Sequence, residues 1–434
     1  FPEPGQKIEI PPAKNSFSFS KKSQSPPNYL AIDIGTTSIK WAVIHADKQT
    51  SNGQCLNPQM GSGAEVVSRL AFALESESNY DLLKSLIRET IKQIAREAGF
   101  WGSRFDAQGS TINSYLCVAG NPAMIYLLLG LDVQEISFAP FKISYWGGCV
   151  ESLDKETPGF YIPPLLGPFV GADISAGLAY LKFNLQSSDY PYLFCDLGTN
   201  GEMVLAKDSQ TFLATSVAMG PALEGVGLRF GSVSGNSRDV CSQFFLSPSG
   251  LGGWRMSSFR ISGSGYLSLI SILLKLGLLG RNGHFQEGRH PLARKVLANL
   301  KEDKLYLTEE VYLSAHDIEE ILKVKAAFNL ALVYLLEKAG IVFGDLKKIY
   351  IAGALGQHVQ EDVPGHLGFL PQGIESKISL VGNTSLQGGV LLCQNKKARQ
   401  WVEGLKNMVQ YINLAESDYL AENFARYMRF TFVS

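Results

Sequence analysis

The chain has 434 residues, enough for one large core or two lobes, and its 45% hydrophobic and 18% charged content is that of a globular protein. A formal net charge of −1 gives no electrostatic basis for binding nucleic acid or an anionic membrane, so neither is expected as a partner. No apolar run reaches the length of a membrane span; the longest candidate, 266–279, contains Lys275, and the start of the chain lacks the continuous apolar segment of a secretion signal.

The elements follow in chain order. Residues 1–28 carry prolines at 2, 4, 11, 12, 26 and 27 and read as an extended arm or linker. A strand is expected over 29–34 and another over 38–45, so Gly35 turns a β-hairpin. A dinucleotide-binding glycine turn leads into a helix instead, and that fingerprint does not apply. Helical spacing covers 61–74 and 80–99. A buried strand at 114–119 runs into Gly120-Asn121-Pro122, a short helix at 123–129 follows, and 140–168 reads as Pro/Gly-rich loop before a helix at 171–183. The second half restarts at 192 with the same logic: strands at 192–197, 202–206 and 211–216. Helices are expected at 266–279 and 317–339, and strands at 347–351 and 378–381. Gly382-Asn383 then feeds a helix at 386–393. The pattern is a duplicated α/β unit with a cleft between the copies: an arm at 1–28, a first lobe at 29–187, and a second lobe with C-terminal helices at 188–434.

Six cysteines, at 55, 117, 149, 195, 241 and 393, contain no CxxC pair and no ferredoxin spacing. A reduced, cytoplasmic protein fits this pattern. The six histidines show no metal-ligand spacing and read as structural.

Two phrases carry the chemistry. Ala31-Ile32-Asp33-Ile34-Gly35-Thr36-Thr37-Ser38 and Phe194-Cys195-Asp196-Leu197-Gly198-Thr199-Asn200-Gly201-Glu202 each end an apolar run with a carboxylate, then glycine, then small hydroxyl or amide residues. Such turns bring backbone N–H groups close to phosphate oxygens. Asp33 and Asp196 at the strand ends are candidate Mg²⁺ holders, directly or through water. Thr36, Thr37, Ser38, Thr199 and Asn200 add donors beside Gly35, Gly198 and Gly201. One copy alone fits an ordinary tight turn or Asn-Gly hairpin equally well; the repetition points to ATP. Glu202 and Asp173 are candidates to orient an attacking water, against the plainer readings of a strand-end charge and a helix-cap carboxylate. Gly353, Ala354 and Gly356, after a strand, leave room for a base or ribose. Gly263, Ser264 and Gly265 at a helix start offer free N–H groups to ribose or an α-phosphate, with a close crossing and a helix cap as the alternatives.

These loops, in this order, resemble the superfamily of acetate and sugar kinases, Hsc70 and actin. Further phrases resemble the reductive activators of corrinoid-dependent enzymes: Asn57-Pro58-Gln59, Gly63-Ala64-Glu65-Val66-Val67-Ser68-Arg69, Gly120-Asn121 with Met124, and Phe169-Val170-Gly171-Ala172-Asp173. Gly220-Pro221-Ala222-Leu223-Glu224-Gly225, His316-Asp317-Ile318 and Gly382-Asn383 extend the likeness over 29–434. It implies a duplicated ribonuclease H-like, actin-like ATPase fold with two lobes around a nucleotide cleft. It also implies ATP binding and hydrolysis coupled to reduction of Co(II) on a corrinoid protein, a methyltransferase subunit. The electron in that family enters through a [2Fe-2S] domain, expected here only upstream of Phe1. Tyr126, Met219 and Pro122-Ala123 depart from the family pattern and bear on partner contacts. A small-molecule kinase and an ATP-binding adaptor without turnover stay open as rival functions, and so does a homodimer as an assembly.

Overall fold

The computed structural model describes residues 27–433 apart from 46, 101–115, 156, 158, 233–239, 249, 254–259, 289, 354–359 and 361. Both glycine phrases are hairpin turns. β1 (Pro27–Ile34) and β2 (Ser38–His45) pair antiparallel, with Ile34 opposite Ile39 and Asp33 opposite Lys40. β3 (Thr50–Leu56) adds an outer antiparallel strand. Its residues show no apolar alternation, which is why the sequence did not announce it; an edge strand buries only part of one face. β4 (Leu116–Gly120), buried throughout, runs parallel to β1 on the other side. β5 (Cys149–Glu151) and β6 (Phe160–Ile162) complete the sheet in the order β3-β2-β1-β4-β6-β5. These last two strands interrupt the stretch expected as loop, because three residues are too few for periodicity to register.

The second half repeats the plan. β7 (Tyr192–Leu197), β8 (Asn200–Ala206) and β9 (Phe212–Ala218) form an antiparallel meander. β10 (Lys348–Gly353) lies parallel to β7, β11 (Ile378–Gly382) lies parallel to β10, and β12 (Val409–Tyr411) borders β9. Read from β9 to β11, the order β11-β10-β7-β8-β9-β12 repeats β3-β2-β1-β4-β6 of the first sheet, and only the edge strands β12 and β5 lack a counterpart. This is the duplicated, two-lobed α/β architecture expected of an actin-like ATPase. Side chains along β7 alternate in which core they enter: Tyr192 and Phe194 face the first lobe's core, Leu193, Cys195 and Leu197 the second's.

Helices cover the sheets. The helix expected at 61–74 is broken. Asn57 caps a 3-10 turn at Pro58–Ser62, Gly63 sits at φ +140°, and α1 (Val66–Glu75) starts only afterwards. α2 (Glu77–Glu97) and α3 (Pro122–Leu129) back the first sheet. α4 (Ala172–Phe183) closes the first half; α5 (Gly263–Leu276) and the 25-residue α6 (Ala315–Ala339) pack on the second. α7 (Thr384–Gln394) and α8 (Lys396–Gly404) follow β11. Among the described residues no helix is long and apolar enough to cross a membrane.

The closing helices cross between halves. α7 belongs to the second half by sequence, yet it packs on β1 and β4 and against α4. Leu392 and Cys393 of α7, with Ala398 and Val402 of α8, join the first core. Gly177 of α4 in turn lies against the Phe194 ring of β7 and Thr384 of α7. The crossing is so close that a Cβ on Gly388 would run into the backbone of Ala176. Gly388→Ala should therefore cost about 1–3 kcal/mol, the usual toll of overpacking a tight contact. Urea denaturation measures it; an unchanged midpoint would mean that the helices separate freely.

Candidate functional site

The first loop is held from behind by buried polar groups. Asn57 Nδ2 donates to the Gly35 carbonyl (2.9 Å), and the Asn57 N–H donates to the Thr37 carbonyl (2.9 Å). Arg69, fully buried on α1, donates through Nη2 to the Thr36 carbonyl and through Nε to the Gly63 carbonyl (2.9 Å). With its carbonyls engaged on this inner side, the loop presents Thr36, Thr37 and Ser38 to a cavity of about 150 Å³. Asn121 caps α3 with Oδ1 and reaches Thr36 Oγ1 with Nδ2 (3.1 Å).

The second loop faces the first. Thr199 Oγ1 lies 3.3 Å from Thr37 Oγ1, a hydrogen bond between the two hairpin tips. Gly353 ends β10 at φ +78°, and a Cβ there would sit 2.5 Å from Asp196 Oδ1, so only glycine lets this strand end approach the carboxylate. The hairpins differ in one respect. The partner of Asp33 across the ladder is Lys40, seven positions on; the partner of Asp196 is Glu202, six positions on. The shorter turn thus puts an acid where the first lobe has a base, and both line the cavity.

The start of α7 reaches the strand-end carboxylate of the other half. Asn383 caps α7 through Oδ1 to the Leu386 N–H, while its Nδ2 donates to Asp33 Oδ2 (2.8 Å). Ser385, two residues into α7, donates to Asp33 Oδ1 (2.9 Å). Asp173 holds the matching position in α4, accepts from the Ile174 N–H (2.9 Å), and feels the charges of Asp196 and Asp33.

Carboxylates crowd the cavity, and their protons show it. Burial pushes Asp173 up to about 8, with Asp196 and Asp33 adding repulsion. Burial and then Asp33 push Asp196 up to about 7, against a downward pull from Lys40. Glu202 is raised by burial, then by Asp173 and Asp196, although a hydrogen bond from Ser216 opposes the rise. Asp173 and Asp196 thus retain protons near neutral pH that a cation would displace. Asp33 and Asp196 form the pair that could hold a hard divalent ion. Among the described residues no three His, Cys, Asp or Glu are arranged to hold a metal alone, so further ligands would be water and ligand oxygens.

Of the residues expected from sequence, Asp33, Gly35, Thr36, Thr37 and Ser38 line this cavity from the first hairpin. Asp196, Gly198, Thr199, Asn200 and Glu202 line it from the second, joined by Asp173 and Gly353. Gly201 does not; it packs under Met219. Gly263, Ser264 and Gly265 are buried away from the cavity lining. Gly263 lies against the backbone of Leu223, Ser264 donates to the Ser242 carbonyl (3.2 Å), and the Gly265 N–H goes to the Ser262 cap. That is the close crossing and helix cap weighed as the alternative. Ala354 and Gly356 lie outside the described residues.

Sequence reasoning passed over Lys40, Gln54, Asn121, Glu224, Asn383 and Ser385, all of which line the cavity. Lys40 could have been found by counting across the hairpin. Asn121 and Asn383 were visible as Gly-Asn pairs at strand ends, the usual sign of a helix cap with one amide group to spare. Tyr126, the departure from the family pattern, is a buried brace: its hydroxyl accepts from the backbone N–H groups of Ser144 (2.8 Å) and Tyr145 (3.0 Å).

Residues 191–432 match the family described as the C-terminal domain of RACo, the ASKHA domain, and residues 29–186 match the RACo middle region. The chain belongs to the RACo family. Curated proteins similar to it are named for corrinoid chemistry. It is 27% identical over 435 residues to "Corrinoid activation enzyme RamQ" of Eubacterium limosum, an alignment covering 93% of this chain and 70% of the relative. It is 25% identical over 402 residues to the Co(II) methylated amine-specific corrinoid protein reductase of Methanosarcina barkeri, covering 82% and 68%. The solved "Reductive activator for corrinoid,iron-sulfur protein" superposes with a TM-score of 0.78 at 23% identity, covering 94% of this chain and 67% of that one. The superposition establishes a shared RACo fold.

Proposed function

We propose that this chain is an ATP-dependent reductive activator of a corrinoid protein. The observation that carries this reading is the meeting of two phosphate-type hairpins, bonded tip to tip through Thr37 and Thr199, at one acidic cavity in a RACo-family chain. Its curated relatives are named as a corrinoid activation enzyme and a corrinoid protein reductase, which supports a corrinoid protein as partner; a methyltransferase subunit as its carrier is part of the proposal.

In this reading residues 29–187 and 188–434 act as lobes. The hairpin N–H groups and the hydroxyls of Thr36, Thr37, Ser38 and Thr199 bind the phosphates of ATP, and adenosine lies towards Gly353. Asp33 and Asp196 would hold Mg²⁺, which would supply charge neutralisation for the phosphates. Asn383 and Ser385 fix the rotamer of Asp33. Asp173, held protonated near neutral pH by burial and by the charges of Asp196 and Asp33, keeps one oxygen on the Ile174 N–H and becomes able to orient water as a base once positive charge enters. Glu202 is the second water-orienting candidate. Because α4 and α7 touch both lobes and both begin at the cavity, ligand binding there biases the angle between lobes. Hydrolysis yields ADP and phosphate and moves no electron; the single electron taking Co(II) to Co(I) comes from a separate reductant.

The test is phosphate release from MgATP with and without a Co(II) corrinoid protein, an artificial low-potential reductant being supplied. Cobalt reduction is followed by absorbance. Partner-stimulated hydrolysis and ATP-dependent Co(I) formation are expected. A phosphorylated small molecule would point to a kinase, and binding without turnover to an adaptor; either outcome removes the proposal.

A further inference from the structure

We infer that Glu224 stands in for a phosphate oxygen at the tip of the second hairpin, so that a bound nucleotide displaces it and frees the turn that carries it. This rests on the nucleotide-binding reading of the two hairpins.

The carboxylate of Glu224 sits on the tip of the second loop. Its Oε1 accepts from the Thr199 N–H (3.0 Å) and from Thr199 Oγ1 (3.2 Å). The other N–H groups nearby are spent inside the protein: that of Gly198 on the Asn200 carbonyl, and that of Met219 on the Thr199 carbonyl. The Thr199 N–H and hydroxyl at the tip of this loop are donors suited to an anion, and an anion of the protein already holds them. Space agrees with charge. Oε1 would lie 2.9 Å from a Cβ at Gly198, so the carboxylate fills the room above the loop that the missing side chain leaves. The buried Arg69 guanidinium, on the far side of the first loop, feels the Glu224 charge. A phosphate oxygen and this carboxylate cannot both take one N–H at this spacing, because they repel and each needs the same donor. Their exclusion is mutual, which is the differential affinity a ligand needs to shift a conformation.

Glu224 is also placed to transmit its release. It ends the turn Pro221–Glu224, flanked by Gly220 at φ +83° and Gly225 at φ +80°. The chain then runs to Arg229, whose N–H donates to the buried Asp317 Oδ1 (2.8 Å) at the start of α6. Phe230 follows; its N–H donates to the Tyr266 hydroxyl (3.1 Å) and its ring meets Tyr312 edge-on. The segment 220–232 therefore connects the second hairpin to the N-terminal end of the long helix and to Tyr312, the first residue of the short strand Tyr312–Ser314. Loss of the Glu224 contact removes the anchor that ties this segment to Thr199 on the second hairpin.

The experiment uses the intact chain, with Glu224→Ala and Glu224→Gln beside wild type. MgADP and the Mg²⁺ complex of a non-hydrolysable ATP analogue are titrated calorimetrically. Backbone hydrogen exchange of wild type is followed with and without MgADP. Glu224→Ala should bind nucleotide on the order of 10-fold more tightly, the effect of removing a competing charge-assisted contact. Glu224→Gln should move the same way by less. In wild type, MgADP should slow exchange at 196–201 and speed it at 221–232, a reciprocal change that a merely bracing residue would not produce. Equal or weaker binding by both variants, or slower exchange at 221–232, overturns the inference. If wild type binds and the variants gain nothing, the stand-in role falls and the nucleotide site survives. If no form binds, both fall together.

Discussion

Asp196→Asn should cut ATP turnover by at least about 100-fold while making the nucleotide-free protein harder to melt at neutral pH. The first effect follows from position. Asp196 ends β7 at the cavity, beside the Gly353 backbone and across from Asp33, the place where the proposed function puts the Mg²⁺ of a triphosphate. Losing a charge that acts on the transition state costs roughly 10²–10³ in rate. The second effect follows from protons. In the unfolded chain an aspartate releases its proton near pH 4. In the folded cleft Asp196 keeps its proton up to about 7 and Asp173 up to about 8. Between those limits the folded state binds more protons than the unfolded state, so stability is full at low pH and declines as pH rises from about 4 to about 8. An asparagine at 196 removes one of these groups and relieves the repulsion on Asp173, so the decline becomes shallower. The melting temperature should rise by about 2–4 °C for each kcal/mol recovered. Melting curves of both proteins from pH 5 to 8.5, without nucleotide, measure this. A wild-type melting temperature that is flat or climbs over the range would sink the electrostatic account, whatever happens to turnover.

Arg69→Met should be the most damaging substitution at a distance from the phosphates themselves. The guanidinium is fully buried, and burial lowers its pKa to about 10, with Glu224 opposing, so it stays charged at neutral pH. It joins two carbonyls, Thr36 on the first loop and Gly63 before α1, and packs Nη1 against Met124 Sδ (3.6 Å). Methionine fills much of the space but leaves both carbonyls without a donor. Each unpaired buried group costs about 1–3 kcal/mol, so the loss should be around 3 kcal/mol. The loop released by it should bind MgADP about 10-fold more weakly. Arg69→Lys should recover little, since one ammonium on a flexible stem cannot reproduce a planar fork aimed at two carbonyls. Urea midpoints and nucleotide titrations of the two variants decide; restoration by lysine would show that charge matters here and direction does not.

The legible parts of this molecule are those made by near neighbours. The hairpins at Gly35 and Gly198 declare themselves because their pairing partners lie a few residues away and their strands alternate or stay apolar. Helices such as Ala315–Ala339 and Ala172–Phe183 declare themselves by periodicity and caps. β3, β5 and β6 stayed hidden, one polar and two very short. The phrase at 263–265 offered a helix N-terminus, and its geometry could equally serve a ligand or a crossing. The structure has it buried against Leu223 and Cys241, and nothing local distinguishes the two.

By itself, then, the sequence determined a repeated strand-hairpin with a terminal carboxylate, and through it the duplicated fold and the chemistry of the loops. The tertiary structure decided who attends those carboxylates. Asn383 and Ser385 reach Asp33 only because α7 crosses into the other half, and Asp173 comes near Asp196 only because α4 crosses back. Glu224 reaches Thr199, and Arg69 reaches Thr36, by the packing of separate turns and helices. Such contacts depend on how rigid elements stack across long stretches of chain, and the spacing of residues along one element carries no record of what will be laid against it.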